Sequence, residues 1–231
     1  MKKIGLVGGL GPEATVDYYN LLINAFKNGK GDLNYPEIVI YSMNMSEFIG
    51  LMKVKKYDEA VQKLVDTIDS LRRAGAEFAA ITANTPHMLF DQISSRSSLP
   101  LISIVEATLE ECKRKGFRKP GLMGTGFTMN ATFFQDVFKK SGIDVILPSN
   151  EDKEIINQKL FSEIELGIFK DETRQILISI TGKMAEEHQI DSMILGCTEL
   201  PLILTDTVYG GIPMLNTTLI HVNSIAEYTR S

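Results

Sequence analysis

Two apolar runs in this chain stop at turns made of groups that can hold or move a proton. "AAITANTPHMLF" (79–90) runs into Ala83-Asn84-Thr85-Pro86-His87, and "SMILGCTELPLIL" (192–204) runs into Gly196-Cys197-Thr198-Glu199. Cys197 is the one attractive nucleophile or proton-transfer group. A free thiol ionises near ~8.5. Buried among apolar side chains it is inert, whereas at a turn with polar neighbours it can act as acid, base or nucleophile. The sequence leaves both open. The matching turn carries Ala83, whose methyl group exchanges no proton. Cys112, within "EECKRKG" on an expected helix, reads as inert. His87, His188 and His221 lack the close spacing of metal ligands, and no second cysteine lies near Cys197, so no metal is expected. His87 reads as a brace for its turn, with a Cys-His hydrolase partner as the alternative.

Near the start, "GLVGGLGPEAT" contains Gly9-x-Gly11-x-x-Ala14, which fits the dinucleotide fingerprint. That fingerprint also needs an acid at the end of the second strand, to hold a ribose hydroxyl. "IVIYSMN" supplies Ser42 and Asn44 there instead, so no nicotinamide cofactor is expected. The glycines then serve a tight strand-to-helix turn, or backbone N–H groups that hold a carboxylate at a helix start.

These turns need strands that end at them. "KIGLVGG" reads as a buried strand, followed by a helix with Pro12 in its first turn and Ala14, Tyr18, Leu21, Leu22 and Ala25 on one face. "EIVIYS" (37–42), "FAAIT" (78–82) and "LPLISI" (99–104) are expected strands. Val61, Leu64, Val65, Ile68 and Leu71 mark a helix that stops at Gly75, and 105–115 marks another. The order then repeats: "RKPGLMGTGFTMNATFF" (118–134) resembles "KKIGLVGGLGPEATVDYY" (2–19). Strands are expected at 142–147, 192–196 and 211–215, and helices at 154–166 and 172–187. Gly5 and Gly121 stand 116 positions apart, and Ala83 and Cys197 stand 114 apart. This alternation predicts an α/β fold of two pseudo-symmetric lobes, each a mostly parallel sheet flanked by helices. The lobes are placed at 1–100 and 117–211, with a last helix in 217–231 returning to the first. Two generic α/β segments that merely look alike are the plainer alternative. Ligands bind beyond the carboxyl ends of parallel strands, so lobes facing each other would put 83–85 and 197–199 on opposite walls of a cleft.

Composition narrows the function classes. The 231 residues carry 24 basic and 29 acidic side chains, a net charge of −5. The longest basic run, "KRK" at 113–115, sits where a helix should end and complements its dipole. A nucleic-acid partner is therefore not expected. The first apolar run breaks at Gly8-Gly9, too early for a signal peptide, and no stretch approaches the ~20 apolar residues of a membrane span. Two cysteines make no disulfide framework. A soluble cytoplasmic protein is the expectation.

At "IGLVGGLGPEAT", "ANTPH" and "GCTEL" the chain resembles the aspartate/glutamate racemase family, the pyridoxal-phosphate-independent amino-acid racemases. "ANTPH" resembles the family's first active-site motif, usually Cys-Asn-Thr-x-His, and "GCTEL" resembles its second. The resemblance covers nearly the whole chain. It implies a site in the cleft between two lobes, no cofactor, a small amino-acid or dicarboxylate substrate, and a homodimer. In the family two thiols face each other across the substrate Cα, and one removes the proton that the other returns. Inverting a stereocentre without a cofactor does require a base on one face and an acid on the other. The carbanion-like intermediate needs fixed donors at its carboxylate. Asn84, Thr85, Thr198 and backbone N–H groups near Leu10 and Gly11 are the candidates, with Thr125 and Thr128 further ones. Cys197 matches the family's second cysteine, while Ala83 stands in the place of its first. Some relatives carry threonine there. Asn216 is a milder departure, where relatives often have aspartate. Three readings follow: a racemase with an indirect second step, a single-cysteine decarboxylase or isomerase of the wider superfamily, or an amino-acid binder that has lost turnover.

Overall fold

The computed structural model describes residues 1–27 and 33–231. The chain forms two compact units, Met1–Ile104 with His221–Ser231, and Val105–Ile220. Segment 28–32, inside the expected first lobe, lies outside the described residues.

In the first unit the elements run β1 (Ile4–Gly8), α1 (Pro12–Ala25), β2 (Ile38–Ser42), α2 (Met45–Lys53), α3 (Tyr57–Arg73), β3 (Phe78–Ile81), a 3-10 turn (Thr85–Leu89), α4 (Phe90–Arg96) and β4 (Leu101–Ile102). The sheet order is β2-β1-β3-β4, all parallel. β1 and β3 are buried at every position, which is why they read as unbroken apolar runs rather than as an alternation. In α3 the buried residues Val61, Leu64, Ile68 and Leu71 recur at helical spacing. Asp58 and Glu59 in its first turn and Arg72 and Arg73 in its last complement the helix dipole. Neither α2 nor α4 was expected, although Asn44 caps α2 by accepting the Glu47 N–H at 3.3 Å. The fourth strand is shorter than "LPLISI" suggests, because α5 (Ile104–Lys115) begins two residues after Ile102.

The second unit continues with β5 (Pro120–Gly124), α6 (Gly126–Asn130), α7 (Phe133–Lys139), α8 (Asn150–Ser162), a 3-10 turn (Ile164–Leu166), α9 (Asp171–His188), β6 (Ser192–Gly196), α10 (Leu200–Ile203), β7 (Val208–Tyr209) and β8 (Ile212–Asn216). Its sheet order is β5-β6-β8-β7, parallel except for β7, an antiparallel edge that sequence reading missed. The registers of the two sheets correspond. Gly5 pairs with Ala79 and Ala79 with Leu101 in one; Gly121 pairs with Met193 and Met193 with Met214 in the other. The repeat is thus written into backbone pairing inside each unit.

Two expectations need correction. "GIDVIL" does not form a strand; it contributes one bridge, Gly121 to Ile146. The segment does run beside β5: the Asp144 and Ile146 N–H groups donate to Arg118 O and Pro120 O, and Ile146 O accepts the Leu122 N–H. The Ile143 N–H turns back to Phe138 O, and Pro148 ends the pairing at the other side. The helix expected at 154–166 starts earlier, where Ser149 accepts the Asp152 N–H at 3.1 Å, and breaks at Glu163 before a separate 3-10 turn.

The division falls within the last helix, α11 (Thr217–Arg230), whose residues from His221 onward belong to the first unit. Its Val222 and Ile225 join Ile4, Leu6, Tyr18, Leu22, Phe78 and Ala80 in one apolar core. Among the described residues, no helix is long and apolar enough to cross a membrane.

Candidate active site

In the second unit, chemistry gathers where β6 stops. Gly196 ends the strand, and a Cβ there would sit 2.6 Å from Leu122 Cδ1 and 2.8 Å from Met123 O, so only glycine lets β5 and β6 close up at this point. Cys197 follows, 5% exposed. Its carbonyl accepts the Leu200 N–H at 3.1 Å, while the Thr217 hydroxyl donates to Leu195 O at 2.7 Å and holds the strand end from the other side. Pro201 suits the first turn of α10 and sets the direction in which the chain leaves.

The short turn folds Glu199 back on the thiol. Cys197 Sγ lies 3.1 Å from Glu199 Oε2 and 3.3 Å from Glu165 Oε1, and the Thr198 hydroxyl donates to Glu199 Oε2 at 3.2 Å. Burial, then the charges of Glu165 and Glu199, push the Cys197 thiol well above its ordinary value. Burial and the Glu199 charge push Glu165 up to about 8, against the opposing pull of its hydrogen bond with Cys197. Glu165 is thus held toward its neutral form. A thiol has one hydrogen and cannot donate to both carboxyls. It donates to one of them at a time, so the two carboxyls compete for its proton. The three groups bring their ligand atoms within 4.8 Å of one another. In this protonation state the three share protons, and a cation held by the same three atoms would have to displace them.

Thr125 and Thr128 stand at the end of the adjacent strand β5, whose Gly124 pairs with Gly196. Thr125 caps α6 by accepting the Thr128 N–H at 3.3 Å, and the two hydroxyls are 3.3 Å apart. Thr128 also packs its methyl under Gly124 and Gly196. The structure therefore groups Cys197, Thr198, Thr125 and Thr128 at the carboxyl ends of two neighbouring strands.

In the first unit, Leu10 and Gly11 follow β1, and Ala83, Asn84 and Thr85 follow its neighbour β3. Gly9 has φ +82°, and a Cβ there would collide with the Met43 backbone, so this turn requires glycine. The Gly9 N–H donates to Thr15 Oγ1 at 2.8 Å, and the Thr15 hydroxyl donates to Gly11 O at 2.9 Å. Part of the loop's backbone is thus spent on shaping the loop. Ala83 and Asn84 are buried. The Ala83 carbonyl accepts from His87 Nδ1 at 2.9 Å, and His87 Nε2 accepts the Ile104 N–H at 3.3 Å. The ring stacks on Phe90 with centroids 5.0 Å apart, and burial beside His221 pushes its pKa down to about 3. With both nitrogens engaged and the ring neutral, His87 is the brace of this turn, which removes it as a hydrolase base.

His221 is engaged in the same way, between the Tyr18 hydroxyl at 2.8 Å and Ile102 O at 2.9 Å. Cys112 is fully buried, and burial pushes its thiol up to about 12, which leaves it inert. Asn216 caps α11 by accepting the Leu219 N–H at 2.9 Å. Sequence reading did not assign the two carboxyls around Cys197. Glu199 could have been found from its place two residues past the thiol. Glu165 is 32 residues upstream of Cys197 and had no such signal.

A family model described as Asp/Glu/Hydantoin racemase matches residues 7–225. The broad specificity amino-acid racemase RacX of Bacillus subtilis (strain 168) is 26% identical over 216 residues, covering 92% of each chain. The crystal structure of an aspartate racemase homologue from Pyrococcus horikoshii OT3 superposes with a TM-score of 0.82 at 34% identity, covering 100% of both chains. The glutamate racemase of Aquifex pyrophilus superposes with a TM-score of 0.66 at 17% identity, covering 98% of this chain and 83% of that one, a likeness of fold.

Proposed function

The chain belongs to the Asp/Glu/hydantoin racemase family, and from that premise we propose a cofactor-independent, amino-acid racemase-like enzyme in which Cys197 moves the Cα proton of a small amino acid. The observation that carries this reading is a buried thiol within hydrogen-bond distance of two carboxyl groups, Glu199 at 3.1 Å and Glu165 at 3.3 Å.

The resting thiol is the acid. When its S–H proton passes to the Glu199 carboxylate, the sulfur becomes a thiolate able to take the Cα proton and leave a carbanion. In the reverse sense the S–H bond breaks, the proton goes to the carbanion, and the thiolate recovers a proton from its carboxyl partners. A raised thiol pKa makes the thiolate scarce but a stronger base, which suits a weakly acidic C–H bond. Protonated Glu165 also removes one negative charge from the surroundings of an anionic substrate. Asn84, Thr85, Thr198, Thr125, Thr128 and the backbone at Leu10 and Gly11 are the proposed donors to that substrate.

Ala83 favours a second reading. It occupies the place of a second acid and carries only a methyl group. A single-cysteine lyase or isomerase, which protonates a planar intermediate on one face, needs no second acid.

Solvent deuterium exchange at Cα, run with a panel of D- and L-amino acids, tests the proposal. Exchange is expected in the protein as it stands and in Cys112→Ala, and its loss is expected in Cys197→Ala. Unchanged exchange in Cys197→Ala overturns the role of the thiol. Binding without exchange identifies an amino-acid binder.

A further inference from the structure

We infer that Glu163 is a positioning residue for the site, a carboxylate clamp that fixes the turn carrying Glu165 against Cys197. The inference rests on the reading of Cys197 and Glu165 given above.

Glu165 has little to hold it in place. Its Oε1 lies 3.3 Å from the Cys197 sulfur, and its buried Oε2 has no hydrogen-bond partner among the described residues. A sulfur contact is a weak tether. The position of this carboxyl must therefore come from the backbone beneath it, a single 3-10 turn of three residues, Ile164–Leu166.

Glu163 closes that turn from both ends. Its carbonyl accepts the N–H groups of Leu166 and Ile168, each at 3.0 Å. Its carboxylate, 7% exposed as a residue, accepts from Lys159 at 2.9 Å on α8, from Lys170 at 3.2 Å just before α9, and from the buried Thr173 hydroxyl on α9. One side chain thus joins the helix before the turn to the helix after it. Ile164 adds the apolar anchor, fully buried in the core of this unit. A buried carboxylate with three donors is an unusual expense for a surface corner, since each donor must be held in place. A bare helix-turn-helix connection does not require it. A turn that must present one weakly tethered carboxyl does.

The test reads the proton on Glu165 through its neighbour. Protein labelled with carbon-13 at cysteine Cβ gives two resonances, and Cys112 serves as the internal control. The Cys197 resonance is expected to show a titration step near pH 8, from Glu165, and Glu165→Gln is expected to abolish it. Thr173→Val removes one clamp donor without changing any charge, and Glu163→Gln removes the clamp itself. Both are expected to lower the midpoint by a pH unit or more, because a loosened Glu165 regains water and drifts toward an ordinary carboxyl. Glu199 and Cys197, the charged and titratable groups that face Glu165, are unaltered in both variants. Thr173→Val separates positioning from charge: deleting a negative charge at Glu163 would lower the midpoint by itself, but deleting a hydroxyl would not. A lower melting temperature with the midpoint still near 8 in Thr173→Val overturns the inference and leaves Glu163 as a stability feature. A step that survives in Glu165→Gln, or is absent from the unaltered protein, contradicts the site reading instead.

Discussion

At Cys197 the account turns on which proton sits where. The sulfur shares its surroundings with one carboxyl held neutral and one that accepts both the thiol and the Thr198 hydroxyl. Glu199→Gln is therefore expected to cut Cα exchange by about 100-fold or more, the scale of a lost proton-transfer partner. It should also lower the thiol pKa, because one of the charges that raises it is gone. The pH profile of thiol alkylation checks the sign, and an unmoved profile with full exchange would remove Glu199 from the proton path. Part of this was legible in the residues themselves: Cys197 at the end of a buried strand and, in the other unit, His87 as the brace of its own turn. Glu165 was not. An acid in "SEIEL" reads as the solvent face of a helix. Only the break at Glu163 turns it toward the thiol, and nothing in local composition announces that break.

Turns are the elements that place these groups, and they divide into those read correctly and those missed for a physical reason. The loop after β1 was legible because glycine is demanded by backbone geometry. Gly9→Ala should destabilise the protein by about 1–3 kcal/mol, since the left-handed backbone and the Met43 contact resist a side chain. Urea unfolding measures this, and a change below about 0.5 kcal/mol would contradict it. Helix α2 announces itself only through the cap spacing of Asn44 and Glu47, because polar residues at the end of a strand equally suit a ligand-binding turn. The strand expected from "GIDVIL" shrinks to a single bridge beside β5, because apolar content does not reveal that the Ile143 N–H turns back to Phe138 O and that Pro148 stops the pairing. Pattern shows what a segment wants to bury, but hydrogen-bond commitments are long-range and invisible to it.

For the whole molecule, the repeat seen as two glycine-ended strands was a true guide to topology, because strand register preserves the same correspondence inside each sheet. The buried titratable groups give the molecule a characteristic response to acid. His87 and His221 are held neutral with pKa values near 3 and near 4, well below 6.5. Folded-state values this low mean that their contribution to stability is complete above pH 6.5. It is lost as pH falls toward 4, at about 1.4 kcal/mol per pH unit for each ring. Glu165 works in the opposite sense, raised to about 8, so it favours the folded state at low pH and loses that advantage between 4.5 and 8. Two histidines outweigh one glutamate between pH 6.5 and 4.5. In one cooperative transition stability should fall as pH drops through this window, and fall more steeply in Glu165→Gln. Urea midpoints at pH 6.5 and 4.5 decide it, and an equal slope in the variant would refute the linkage. The central claim, a site with one working thiol, is tested most directly by enantiomer-resolved exchange in deuterium oxide. One enantiomer should exchange its Cα proton and keep its configuration, the other should exchange slowly or not at all, and Ala83→Cys should restore inversion. Comparable exchange of both enantiomers by the unaltered protein would contradict the account, because a second proton donor would have to exist elsewhere.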